Sequence, residues 1–320
     1  MADWSEGYWW SKDGLRLHYR DYAGPADRPP IICIPGLTRN ARDFEGAAER
    51  LAGQWRVICV DLRGRGESAY AKDPMTYVPL TYLQDMEALI AELELPRFVL
   101  FGTSLGGLIT MLLAASGAER IAGALLNDIG PVLEMRGIEH IRSYVGRARD
   151  WPTWLHAARF IAEAQKDRYP DWEIDQWLIY AKRLCKLTPS GRIVYDYDMR
   201  IAEPFKQADG AAGVDLWPAF RALAEVPTLL RNAVAQLEES GRTTMVVRRA
   251  PATGNAAGGG WLGVLGLADE PRAEVRQTLD DRSQNVVDRA PGDIAYRPNV
   301  LDNPRRSIRI LQKHNKNLYC

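Results

Sequence analysis

A serine at position 104 is flanked by glycines two residues to either side, in Gly102-Thr103-Ser104-Leu105-Gly106. The four residues before this motif, 98–101 (FVLF), are wholly apolar, and residues 105–115 after it read as a helix. A serine at so sharp a strand-to-helix turn has its hydroxyl lifted above a sheet and takes a strained backbone conformation. Glycine suits 102 and 106 because side chains there would meet neighbouring backbone. The chemistry that fits is attack by the Ser104 hydroxyl on a carbonyl carbon. Such attack needs two N–H donors aimed at the oxyanion. The Leu105 amide, next to the serine at a helix N-terminus, is one candidate. The Leu37 amide, in the Gly36-led loop after the apolar run 30–35 (PIICIP), is the other. The plainer alternatives are a Gly-Ser turn at 104 and an ordinary strand-to-helix loop at 37.

These residues need a frame to hold them. Residues 7–23 alternate apolar and polar around Asp13-Gly14 and read as an antiparallel hairpin. Residues 30–35, 55–60 (WRVICV), 98–101 and 121–127 are short apolar runs, as strands buried on both faces would be. Between them, Phe44, Ala47, Ala48 and Leu51 recur at helical spacing, and residues 82–95 form an amphipathic helix. Strands alternating with helices predict a parallel sheet with right-handed crossovers. Ligands bind such sheets at the carboxyl ends of the strands, so the chemistry belongs just after Pro35, Asp61, Phe101 and Asn127. From about residue 131 the pattern turns helical and tryptophan-rich (Trp151, Trp154, Trp172, Trp177), with a short alternating run at 192–197. Residues 226–230 (VPTLL) then return to strand.

The runs IICIPGLTRNARDF, VICVDLRGRGES, FVLFGTSLGGLITM and LLNDIGP resemble the α/β-hydrolase superfamily over roughly residues 15–230. They are similar to its cofactor-free esterase, lactonase and C–C-hydrolase branches. The resemblance implies an α/β fold: an eight-stranded, mostly parallel sheet flanked by helices, with a helical cap inserted after strand six. It divides the chain into core (1–130), cap (131–217), returning core (218–270) and an irregular tail (271–320). Serine, rather than the aspartate of relatives that open epoxides or displace halide, favours ester, lactone, thioester or activated C–C bond hydrolysis through an acyl-enzyme. Many relatives carry His-Gly in the oxyanion loop. Pro35-Gly36 keeps the backbone donor, because proline removes only its own N–H.

The superfamily order is serine, acid, histidine. Asp128, just past the run 121–127, stands where some members place the acid; bracing a turn with Gly130 and Pro131 is the alternative. The histidines are His18 in the hairpin, His140 and His156 in the expected cap, and His314 in the tail. None occupies the loop before Asp269-Glu270-Pro271 where the resemblance expects one, and Gln236 stands where a later acid would be. Motif and periodicity fade after about residue 230, as in a frame-shifted or otherwise altered ending, although 247–250 could still form strand eight. The rival to a serine hydrolase is therefore a catalytically impaired or non-catalytic protein on the same fold.

The remaining features are plainer. Lys plus Arg equals Asp plus Glu at 41 each, so no basic face argues for nucleic acid or a membrane surface. Residues 1–12 lack the continuous apolar core of a signal peptide. Cys33 and Cys59 read as small core residues, and unpaired thiols fit a cytoplasmic protein. Arg63, Arg65 and Glu67, at the site's rim, read as a salt-bridged structural loop, with direct substrate contact as the alternative. Asp196 and Asp198 have a metal-like spacing but no histidine or further carboxylate beside them. The expected partner is a small ester- or lactone-like molecule, with no cofactor; the oligomeric state is left open.

Overall fold

The structure is a computed structural model that describes residues 2–133, 135–167, 169–206 and 215–231. In chain order these form β1 (Trp4–Trp10), β2 (Arg16–Tyr22), β3 (Ile31–Ile34), α1 (Glu45–Leu51), β4 (Val57–Asp61), α2 (Pro79–Glu92), β5 (Phe98–Thr103), α3 (Leu105–Gly117) and β6 (Ile121–Asn127). An insert follows: α4 (Met135–Tyr144), β7 (Asp150–Trp151), α5 (Trp154–Gln165), α6 (Ile174–Leu184), β8 (Cys185–Leu187), β9 (Ile193–Tyr195) and α7 (Glu203–Lys206). The chain then returns through α8 (Trp217–Ala222) to β10 (Thr228–Arg231).

Seven strands of the described residues make one sheet, in the order β1-β2-β4-β3-β5-β6-β10. The hairpin β1/β2 and the β2/β4 pair are antiparallel, and every pairing from β4 to β10 is parallel. The eighth strand expected at 247–250 lies outside the described residues. Alternation along each strand feeds two cores. Ile32, Ile34, Ile58 and Val60 face one side with α2 and α3, where Met86, Leu89, Ile109 and Met111 meet them. Ile31, Cys33, Val57 and Cys59 face the other side with Phe44, Ala48 and Leu51. Both faces are thus covered, which is why β3 and β4 are buried at every residue and lack a polar side.

The insert has its own small core of Trp151, Ala157, Ile161, Trp177, Leu184 and Ile193, around a second sheet in the order β7-β9-β8. Its helices start on local signals. The Thr153 side chain caps α5, and Glu173 with Gln176 forms a capping box on α6. No described helix is long and apolar enough to cross a membrane.

Candidate active site

The β5–α3 junction places Ser104. Its amide donates to the Asn127 carbonyl of the neighbouring strand at 2.9 Å, and its own carbonyl accepts from Gly107 and Leu108 in the first turn of α3. Between these anchors the backbone must reverse within one residue, and Ser104 does so at φ 50°, ψ −113°. That region suits glycine and costs an L-residue about 1–3 kcal/mol. The neighbouring glycines make the turn possible. A Cβ on Gly106 would overlap the Ile34 carbonyl oxygen, and one on Gly102 would overlap the Gly106 carbonyl.

The loop after β3 closes on the serine from the β3 side. A Cβ on Gly36 would lie 3.7 Å from Ser104 Cβ, so the two chain segments are separated by little more than one methyl group. The Arg39 amide donates to the Gly36 carbonyl at 3.1 Å, which closes a tight turn over 36–39. In a planar trans peptide the Leu37 N–H points opposite to that Gly36 carbonyl, out of the turn. Neither the Leu37 nor the Leu105 amide donates a hydrogen bond to any described residue, and Ser104 Oγ makes none either. Two open donors and an open hydroxyl therefore lie around the elbow.

Asp128 follows β6 directly, and the last paired residues of β5 and β6 are Thr103 and Asn127, so Ser104 and Asp128 each come one residue past the end of neighbouring strands. It has φ 60°, a left-handed conformation that aspartate tolerates better than most residues. The histidines are elsewhere. His18 on β2 is buried, with Nδ1 2.7 Å from Asp61 Oδ2. The sheet order puts β2 three strands from β5, about 14 Å at the usual interstrand spacing. His140 and His156 are exposed on α4 and α5, where His140 packs on Tyr144 and His156 Nδ1 meets Thr153 Oγ1 at 2.8 Å. His314, Gln236 and the 263–268 loop lie outside the described residues.

The loop after β4 is salt-bridged at Arg63, as the sequence suggests, but no described carboxylate pairs with Arg65. Only Glu67 is exposed, and Arg63 and Arg65 are fully buried. Asp61 is the hub of this loop, accepting from the amides of Ala41 at 2.6 Å and Glu67 at 3.1 Å as well as facing His18. Arg63 is gripped by Asp85 at 2.6 Å and Asp13 at 2.9 Å. Burial pushes the Asp85 carboxyl above the usual aspartate range, against the pull of Arg63.

Sequence reading missed the clamps between core and insert. Arg39 pairs with Asp43 through two hydrogen bonds, and its Nη1 donates to the Tyr180 hydroxyl of α6 at 3.0 Å. Asn40 Nδ2 and Arg42 Nη2 donate to the Arg183 carbonyl at 2.9 and 3.2 Å, and Arg42 also reaches Asp196 at 2.5 Å. Asp198 accepts from Tyr77 Oη at 2.7 Å and from Arg200 at 2.8 Å. The two aspartates with metal-like spacing are thus each held by an arginine.

Burial raises the Asp198 carboxyl, but bonds from Arg200 and Tyr77 outweigh it and leave the pKa below the usual aspartate range. The stability it contributes is complete above the unfolded value of about 3.9 and is lost as pH falls through the lower folded value. Melting temperatures followed from about pH 6 down to about pH 3 should show the wild-type advantage over Asp198→Asn shrinking with acid. A constant difference would mean that the carboxylate charge is not what clamps the insert.

Comparison with known proteins agrees with this architecture. A family profile described as alpha/beta hydrolase fold matches residues 29–179. The chain is 33% identical over 245 residues to the 3-hydroxybutyrate-oligomer hydrolase of Cupriavidus necator, covering 71% of this chain and 83% of that protein. It is 25% identical over 226 residues to the 2-(acetamidomethylene)succinate hydrolase of Mesorhizobium japonicum, covering 70% and 77%. The crystal structure of an alpha/beta hydrolase from Novosphingobium aromaticivorans superposes with a TM-score of 0.69 at 60% identity, over 72% of this chain and 81% of that one. With an elbow serine between β5 and α3 of a mostly parallel sheet, the chain belongs to the α/β-hydrolase fold family and is a hydrolase.

Proposed function

We propose that this hydrolase cleaves small esters, lactones or related carbonyl compounds through an acyl-enzyme at Ser104. Ser104 Oγ attacks the carbonyl carbon, and the oxyanion so formed accepts hydrogen bonds from the Leu37 and Leu105 amides. Collapse of the tetrahedral species breaks the bond to the leaving oxygen, which departs as the alcohol with the proton that the Ser104 hydroxyl gave up. Water then attacks the acyl-Ser104 ester through a second tetrahedral species and releases the acid. Asp128, which leaves β6 where Ser104 leaves the neighbouring β5, serves as the acid that orients the base, and the insert covers the site as a cap that selects the substrate. The observation that carries this reading is the strained Ser104, with two open amide donors on the segments beside it. The relative that acts on 3-hydroxybutyrate oligomers makes short hydroxyacyl esters the first substrates to try.

The reading is tested with diisopropyl fluorophosphate, which loses fluoride to an activated serine hydroxyl. Peptide mass spectrometry should find the phosphoryl adduct on Ser104, with parallel loss of 3-hydroxybutyrate dimer hydrolysis. Asp128→Asn should slow labelling by about 10²-fold or more if Asp128 orients the base. Labelling at another serine that tracks the lost activity would overturn the assignment of Ser104. Unchanged labelling in Asp128→Asn would return Asp128 to the bracing of its turn.

A further inference from the structure

Arg65 is the most unusual charge in the described structure. It is 0% exposed, yet no described carboxylate lies within ion-pair distance of it. Its neighbour Arg63, equally buried, has two. A buried guanidinium without a counter-ion costs several kcal/mol unless fixed dipoles replace its water. Here backbone carbonyls do so for Nε and Nη1 and aromatic faces flank the group, while Nη2 has no hydrogen-bond partner among the described residues. Nη1 donates to the Arg63 carbonyl at 2.6 Å, and Cζ lies 5.0 Å from the Tyr82 ring centre and 5.6 Å from that of Tyr77. The remaining contact is the informative one: Nε donates to the Leu37 carbonyl at 2.9 Å.

Leu37 is the residue whose amide is assigned to the oxyanion in the reading above. The Gly36 carbonyl is taken by Arg39, and the Leu37 carbonyl is taken by Arg65. Together these bonds fix the peptide planes on both sides of Leu37, and hence the direction of its N–H. Arg65 is itself fixed from the insert. Its backbone bridges Tyr197, while the Gly66 amide meets the Asp196 carbonyl and the Asp198 amide meets the Gly64 carbonyl. A continuous chain of bonds thus runs from the insert through Arg65 to the loop beside Ser104.

We propose that Arg65 is a positioning residue of this hydrolase, which sets the Leu37 amide for the oxyanion from behind and ties that setting to the docked insert. The proposal rests on the assignment of Leu37 as an oxyanion donor. A charged donor to a carbonyl makes a stronger and shorter bond than a neutral one, so the loop is held more firmly than by a hydroxyl or amide. A positive charge buried behind the loop also favours the negative charge that develops in front of it.

The test compares Arg65→Met, which keeps the bulk but has no donor, with Arg65→Lys, which keeps the charge and one possible bond. For Arg65→Met, kcat on a p-nitrophenyl ester should fall about 10²-fold, the scale of a lost oxyanion donor, with KM within about threefold. Affinity for an alkylboronic acid, which mimics the tetrahedral species on the serine, should fall by a similar factor, and Arg65→Lys should recover part of both. A merely structural role would lower the melting temperature without this split between kcat and KM. Amide hydrogen exchange over residues 36–40 is read in parallel and does not depend on turnover. It should rise selectively in Arg65→Met, and unchanged exchange would overturn the proposal even in an active enzyme. If exchange rises while Ser104 proves not to be the nucleophile, Arg65 holds the loop and the oxyanion assignment is what fails.

Discussion

Ser104→Ala is expected to reduce p-nitrophenyl acetate turnover by at least about 10³-fold, to a residue supplied by the oxyanion donors and binding alone. The folded state should survive, because Ser104 Oγ makes no hydrogen bond to any described residue. Ser104→Gly sharpens the experiment. Glycine occupies φ 50°, ψ −113° without the penalty that serine bears, so it should gain part of the roughly 1–3 kcal/mol of strain. For a chain of 320 residues each kcal/mol moves the melting temperature by about 1–2 °C. The pair should therefore be equally inactive while the glycine variant melts about 1–4 °C higher than the wild type. Such a trade of stability against activity marks strain held for function. Equal turnover in wild type and Ser104→Ala, with both folded, would remove Ser104 from the chemistry.

The second large effect concerns the elbow's support. A methyl group at 106 would sit inside the Ile34 carbonyl oxygen, a backbone atom of a central strand that cannot turn aside. Gly106→Ala must push α3 off β3 or break the elbow, at a cost above the about 1–3 kcal/mol of ordinary overpacking. We expect a melting temperature lower by several degrees or more, or failure to accumulate folded protein. Gly137→Ala is the matched control. It lies in α4 with no described atom within 4 Å of the added Cβ, and should be neutral or raise stability by up to about 1 kcal/mol. Similar melting curves for the two variants would mean that the sheet and α3 are less tightly seated than the close approach implies.

The elements that hold the elbow were legible because they are buried on both faces. The run 121–127 coincides with β6, and the apolar run 30–35 contains β3. Boundaries moved where a local rule outweighed apolar content. Pro227 has no N–H for the ladder, so the last strand begins at Thr228 and not at Val226. The helix expected from 82 starts at Pro79, which is well suited to a first turn, and ends at Glu92 before Glu94 takes φ 49°. The contacts that hold the insert were not legible. Arg42 and Asp196 are 154 residues apart, and nothing local to either announces the other. Arg65 read as one more charge in a polar loop. Its burial follows from the insert folding back over that loop, which no periodicity records.

The way the insert is gripped bears on how this protein can change over evolutionary time. Asn40 and Arg42 hold the carbonyls of Arg183 and Cys185, which every amino acid supplies. Drift in the side chains at those positions leaves these bonds in place. Side chains of the insert can thus change at Arg183 while these holds are inherited unchanged, in contrast to the clamps that use the Tyr180 and Asp196 side chains. Libraries that randomise position 183 should retain folded members far more often than libraries that randomise residues 39–43, where the grip resides in the side chains themselves.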